Sequence, residues 1–224
     1  MKIYIVIAAF NEEKKISSVI KNLQEEGYNH IIVVDDGSKD KTYDQANSTG
    51  AIVLKHVINR GQGAALKTGI DYSVDQGAEI LVTFDADGQH DAKQIKKLIN
   101  PLIEEKAEVV LGSRFLDDSS NTPPLRKFFL KTGAFIFRIM YGVKLTDSHN
   151  GFRALSRKAA QEINLSQDKM EHASEIVEEI GKHKLKYLEV PVTITYTDYS
   201  LQHGQRTSNA FKIFFKMILK AFLK

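Results

Sequence analysis

At 224 residues the chain can bury one sizeable core, and 42% apolar and 26% charged residues with a formal net charge of +3 fit an ordinary globular protein and exclude a disordered or fibrous one. It has no cysteine, which rules out a disulfide framework, a zinc ribbon and a thiol nucleophile and suits a reducing compartment. The charge is uneven: Arg206, Lys212, Lys216, Lys220 and Lys224 follow Tyr199 without an intervening acid, leaving a slightly acidic body. Nucleic acid is therefore not the expected partner, whereas a basic tail suits a membrane surface or a protein groove.

The apolar run Ile3 to Phe10 is too short for a signal segment or a membrane span, so it reads as a first strand of an unexported protein. Further short β-branched runs follow at Ile31 to Val34, Ile52 to Leu54, Ile80 to Phe84 and Val109 to Leu111. Helical patterns separate them. Asn11 is placed to cap a helix that Gly27 ends, Gly61 to Gln76 is closed by Gly77, and Asp91 can cap a third helix. After Pro123-Pro124 come a long amphipathic stretch, Leu125 to Tyr141, and a turn-rich segment, Asp147 to Arg153. A helix near His172 to Lys182, two short strands and a terminal helix starting near Ser208 complete the chain. Apolar strands alternating with helices predict an α/β fold with a mostly parallel sheet covered on both faces, in which ligands gather at the carboxyl ends of the strands.

Polar motifs fall at those ends. Asp85, Asp87 and Gln89 alternate after the fourth strand, so two carboxylates and an amide oxygen can converge, an oxygen-only set that suits Mg²⁺ or Mn²⁺ together with substrate phosphates. A capped helix start with solvated acids is the alternative, and His90 beside them reads as an exposed or packing histidine rather than a ligand. Asp35-Asp36-Gly37-Ser38 offers acceptors for a nucleobase or ribose, or is simply a turn. Gly61-Gln62-Gly63 opens a helix and lacks the third glycine of a dinucleotide fingerprint, so a plain helix start is expected there. Arg114 and Arg153 are candidates to clamp phosphate oxygens; alternatively Asp147 and Arg153 brace their turn. His172 and Glu175 share a helix face, as surface residues commonly do.

In the tail, lysines every four residues advance about 40° per step around a helix, opposite a broad face that includes Phe211, Phe214, Phe215, Ile218 and Phe222. That pattern suits a helix lying in a bilayer interface, with packing on the protein or on a partner chain as the alternative. Leu125 to Lys144 adds a second basic, aromatic-rich segment.

The ordered set A-A-F-N-E-E, V-V-D-D-G-S-K-D-K-T, N-R-G-Q-G-A-A-L-K-T-G, F-D-A-D-G-Q-H, G-S-R-F and D-S-H-N-G-F-R resembles family 2 glycosyltransferases of the GT-A fold. It looks most like their dolichyl- and polyprenyl-phosphate sugar synthases. The resemblance implies a nucleotide-sugar-binding lobe over residues 1–120, an acceptor-side lobe of the same domain over 121–206, and the basic amphipathic helix over 207–224. By the same resemblance Ala8, Phe10, Glu12 and Asp36 line the nucleoside pocket with Asp36 reading the base, and Arg60 belongs to the donor-binding set. Asp85, Asp87 and Gln89 hold the metal, and Arg114, Asp147 and Arg153 fall on the sugar and acceptor side. The family usually has proline and tyrosine where this chain has Ala8 and Phe10, which keeps stacking and removes a hydroxyl.

The activity so implied is transfer of a hexose from a nucleotide sugar, UDP- or GDP-linked, to a polyprenyl phosphate, with inversion, at the cytosolic membrane face. A lipid phosphate is already ionised and needs no general base; a saccharide hydroxyl does. Relatives that act on hydroxyls carry an adjacent acidic pair, whereas M-E-H-A-S-E leaves Glu175 alone, which weighs towards the phosphate acceptor. Arg206 and Lys212 are candidates to close over the diphosphate or the lipid phosphate. A glycan acceptor, or an inactive nucleotide-sugar-binding subunit that recruits a small membrane protein, are the alternatives.

Overall fold

The computed structural model of the chain describes residues 1–117, 124–147 and 150–194. In chain order the elements are β1 (Ile3–Ala9), α1 (Ile16–Glu25), β2 (His30–Asp35), α2 (Thr42–Asn47), β3 (Ile52–Lys55), α3 (Gln62–Asp75) and β4 (Ile80–Asp85). A 3-10 turn (Ala92–Gln94) leads into α4 (Ile95–Ile103), followed by β5 (Val109–Ser113), α5 (Pro124–Tyr141), β6 (Arg153–Ser156), α6 (Arg157–Glu162), α7 (His172–His183) and β7 (Tyr187–Pro191).

Seven of these strands form one sheet in the order β3-β2-β1-β4-β6-β5-β7. All run parallel except β6, which lies antiparallel between β4 and β5. The α/β fold is the expected one, and its mostly parallel sheet carries this one reversal. Strand alternation sorts the core onto two faces. Ile5, Ile7, Ile31, Val33, Val82 and Phe84 pack with α1 and α4 residues such as Leu23 and Leu98. Tyr4, Val6, Ile32, Val34 and Leu81 pack on the opposite face with Leu66 and Ile70 of α3, Phe137 of α5 and Ile176 of α7.

Two helix starts differ in how they are capped. Asn11 is not the cap of α1: it sits at φ +55°, four residues before Lys15, the capping position. Its Oδ1 accepts from Lys39 N–H (2.9 Å) and its own N–H donates to Ser38 Oγ (2.9 Å), so the residue ties the β1–α1 loop to the β2–α2 loop. Asp91 does cap: its carboxylate accepts from Lys93 N–H at 3.0 Å over the short 3-10 turn.

Reversal of β6 positions the site. Because β6 runs against its neighbours, its start lies at the carboxyl ends of β4 and β5, with Arg153 opposite both Thr83 and Leu111. Thr83 Oγ1 donates to Gly151 O (2.6 Å) and Gly112 N–H to Phe152 O (2.9 Å), so the segment from Asn150 to Arg153 is fastened beside Asp85. Among the described residues no helix is long and apolar enough to cross a membrane, and the basic tail lies outside them.

Candidate active site

Asp85 ends β4 and stands beside Ala8 of β1 in the strand register. Its Oδ1 accepts from Gln62 Nε2 at 3.3 Å, and its Oδ2 lies 3.2 Å from His90 Nε2. Burial pushes its carboxyl above the usual carboxylate range, against the pull of the Arg153 and Arg114 guanidinia and the Gln62 bond. Gly151 makes this placement possible, since a Cβ there would meet the two carboxylate oxygens at 3.0 and 3.1 Å.

Asp87 lies one turn residue further on. Its carboxyl is also raised, by burial and then by the negative charge of Asp85, so the two aspartates sense each other. Gln89 donates to Asp87 from its backbone N–H (3.0 Å) and from Nε2 (2.5 Å). Two interacting carboxylates with an amide in the same turn form a hard-oxygen donor set that fits Mg²⁺ or Mn²⁺. Among the described residues no group of three or more His, Cys, Asp or Glu side chains is placed to hold a metal by itself. A cation here would thus keep positions for phosphate oxygens and water.

Behind the carboxylates lie two enclosed cations. Arg114 grips Asp147 in a two-pronged, fully buried pair, Nε to Oδ2 at 2.6 Å and Nη2 to Oδ1 at 2.7 Å. Arg153 is 3% exposed, donates from Nε to Asn150 O (2.8 Å) and from Nη2 to Ala173 O (3.4 Å), and burial lowers it to about 10 against the pull of Asp85 and Asp147. Neither guanidinium is a mobile clamp; both are fixed positive charges, and the turn is braced by Asp147 with Arg114, where Arg153 was the alternative. A further layer holds Asp147: Glu189 accepts from the backbone N–H groups of Thr146 (2.8 Å) and Asp147 (3.2 Å), and Ser113 Oγ pairs with Thr146 Oγ1 (2.6 Å). Burial raises the Glu189 carboxyl despite those bonds.

At the other end of the edge, Ala8 is half-buried, Phe10 is 42% exposed, and Glu12 is held by its N–H to Thr42 Oγ1 (2.7 Å). Asp36 is buried and its carboxylate is spent on the loop after β3. Oδ1 takes His56 Nδ1 (2.7 Å) and Arg60 N–H (3.0 Å), and Oδ2 takes Gly61 N–H (2.6 Å). Asp36 therefore fixes the loop after β3 through His56, Arg60 and Gly61. The Arg60 side chain forms an exposed pair with Asp168 (3.2 Å).

At the start of α3 the chain itself engages two backbone N–H groups, Gly61 with Asp36 and Ala64 with Asp168 O at 3.0 Å. Glu175, expected as a lone base, accepts from Ser166 N–H and Gln167 N–H (3.0 Å each) and from Ser166 Oγ. A carboxylate so bonded braces the 166–167 turn. His172 is buried, pairs through Nδ1 with Lys169 O (2.8 Å), and is lowered to about 4 by burial and by Arg153. Arg206 lies outside the described residues. Gln62, Gly151 and Glu189 are residues around the site that sequence reasoning gave no role, and His90 was read as packing; Gln62, His90 and Gly151 lie inside the quoted motifs, whereas nothing in the sequence marks Glu189.

A model of glycosyl transferase family 2 matches residues 4–164. An uncharacterized protein of Methanocaldococcus jannaschii is 43% identical over 223 residues, 98% of this chain and 92% of its own length. A UDP-N-acetylglucosamine–dolichyl-phosphate N-acetylglucosaminyltransferase of Methanococcus voltae is 38% identical over 238 residues, 97% of this chain and 95% of that one. Among solved structures, glucosyl-3-phosphoglycerate synthase from Mycobacterium tuberculosis, in complex with Mn²⁺, UDP and phosphoglyceric acid, superposes with a TM-score of 0.76. The overlap covers 97% of this chain and 76% of that one at 18% identity, a likeness of fold.

Proposed function

Because this chain belongs to glycosyl transferase family 2 and is a glycosyltransferase, we propose that it moves a hexose or N-acetylhexosamine from a nucleotide sugar to a polyprenyl phosphate, with inversion, at the cytosolic face of a membrane. The observation that carries this reading is the interacting pair Asp85 and Asp87 at the end of β4, backed by the enclosed cations of Arg114 and Arg153. In it, Asp85, Asp87 and the Gln89 amide would hold Mg²⁺ or Mn²⁺, which would supply charge neutralisation at the donor diphosphate. Ala8, Phe10 and Glu12 line the nucleoside end, with Asp36 setting the Arg60–Gly61 wall.

The protein's own residues do the rest by preorganisation. Arg114 and Arg153 keep positive charge near the leaving diphosphate without having to move, which is the condition under which fixed charges favour a transition state. Asp147 holds Arg114 in place. The commitment of Glu175 to the 166–167 turn engages the one carboxylate expected as a base there, which favours an acceptor that is already ionised over a saccharide hydroxyl. The Methanococcus relative, matched over nearly its whole length, is named for a UDP-sugar donor and a dolichyl-phosphate acceptor, so UDP-N-acetylglucosamine is the first donor to test.

The test is transfer itself. Protein incubated with labelled UDP-N-acetylglucosamine, UDP-glucose or GDP-mannose, Mn²⁺ and a polyprenyl phosphate is extracted with organic solvent, and label is expected in the lipid phase with one of the donors. Asp87→Ala is expected to lower transfer by at least about 100-fold, as loss of a group that positions transition-state charge does. Label confined to water-soluble saccharide would sink the lipid-phosphate reading in favour of a glycan acceptor.

A further inference from the structure

We propose that His90 is a positioning residue for the carboxylate pair: its ring, in the neutral tautomer with the proton on Nε2, holds Asp85 Oδ2 in the orientation from which Asp85 and Asp87 meet a divalent cation. This rests on the metal reading given above and adds to it a residue that does not itself bind the metal.

The tautomer follows from the bonding. Asp85 backbone N–H points at His90 Nδ1 (3.3 Å), and an N–H needs a lone pair opposite it, so Nδ1 is the acceptor. The proton then sits on Nε2, 3.2 Å from Asp85 Oδ2, where it donates to the carboxylate. One imidazole thus grips the backbone and the side chain of the same aspartate.

The ring itself cannot turn. It is stacked on Phe152 (centroids 4.6 Å apart, 13° between planes) and meets Phe84 edge-on (5.2 Å, 89°). Its backbone bridges to Ile194, and the adjoining residue Thr193 is clasped by Gln94, which accepts from Thr193 N–H (2.8 Å) and donates to Thr193 O (3.2 Å). Three separate pieces of chain, the end of β4, the start of β6 and the segment after β7, therefore converge to fix one imidazole behind one carboxylate. A neutral donor aligns a carboxylate without adding a positive charge that would compete with the cation, which is the usual work of groups just outside a metal's ligands.

The experiment measures Mn²⁺ binding by the fall of free-Mn²⁺ EPR signal, with UDP present, for the natural chain and for His90→Phe, His90→Gln and Asp87→Ala. Phenylalanine keeps the stacking and removes both nitrogens; glutamine restores a donor near the Nε2 position. His90→Phe is expected to weaken Mn²⁺ binding on the order of 10- to 100-fold, and His90→Gln to recover most of it. Unchanged binding in His90→Phe, or no recovery in His90→Gln, overturns the proposal. Should His90→Phe not fold, nitrogen NMR of the natural protein decides instead: the His90 proton must be on Nε2, and the ring signals must shift when Mg²⁺ and UDP are added. A proton on Nδ1, or unmoved signals, overturns it equally. Asp87→Ala separates the two readings, because Mn²⁺ binding that survives in that variant removes the metal site itself, whereas loss there with full binding in His90→Phe removes only the role of His90.

Discussion

Asp85 and Asp87 are each pushed above the ordinary carboxylate range, so in the folded chain they hold protons more readily than in the unfolded one. The sign of the consequence is fixed by linkage: stability gained from these groups is present at low pH and is lost as pH rises through their raised folded values. At neutral pH their charges are a burden on the fold, which a cation bound as proposed would relieve. Asp87→Asn is accordingly expected to raise the melting temperature of the metal-free protein at pH 7 by about 2–4 °C, equivalent to about 1 kcal/mol, while abolishing transfer. The gain should disappear as pH falls below the ordinary aspartate range, where the natural residue is protonated in both states. Mn²⁺ affinity of the natural chain should also decline on acidification at a higher pH than free carboxylates would dictate, which a titration at several pH values would read. A variant that is both inactive and less stable at pH 7 would contradict this account. Burial and mutual repulsion, which set these values, are invisible in a string of letters, although the alternation D-A-D-G-Q itself was enough to select the residues as candidates.

The element that matters most to the site is β6, and it is the one the sequence leaves unmarked. R-A-L-S offers four residues with no alternation and follows a turn-rich stretch, so nothing local distinguishes it from the loop before it. Its strand character comes from the open edges of β4 and β5 on either side, which supply its hydrogen-bond partners. The reversal carries Gly151 against Asp85 and buries Arg153 behind it. Gly151→Ala tests that arrangement: the added Cβ, 3.0 Å from a carboxylate oxygen, must displace Asp85 by a few tenths of an ångström. Transfer is expected to fall about 10- to 100-fold with little change in thermal stability, and an alanine variant of natural activity would mean that the close approach is incidental. Loops 10–13 and 38–42 make a similar point. Asn11 has the letters of a helix cap, but tertiary partners at Ser38 and Lys39 took its polar groups, and α1 starts later as a result.

At the scale of the whole molecule, α5 exposes apolar and basic side chains together. Phe135 and Ile139, one helical turn apart on α5, are 60% and 70% exposed, and Lys131 and Arg138 are exposed on the same helix. We propose that this helix and the basic tail together seat the enzyme on an anionic membrane surface. Charge reversal at Lys212, Lys216 and Lys220 to glutamate should then abolish co-sedimentation with vesicles containing phosphatidylserine, and the natural chain should be released as salt is raised; binding that ignores both changes would point to a protein partner instead. The sequence by itself determined the α/β class, every strand but β6 and the motifs at the strand ends, because alternation of apolar segments and turn-forming polar residues is a local property. Only the tertiary structure decided what those residues do for one another. It enclosed Arg114 and Arg153 as fixed charges, gave the Asp36 and Glu175 carboxylates backbone partners in neighbouring loops, and brought His90 and Gly151 to Asp85. The physical reason is that a side chain's role depends on which donors, acceptors and charges surround it, and at this site those come from segments far apart in the chain.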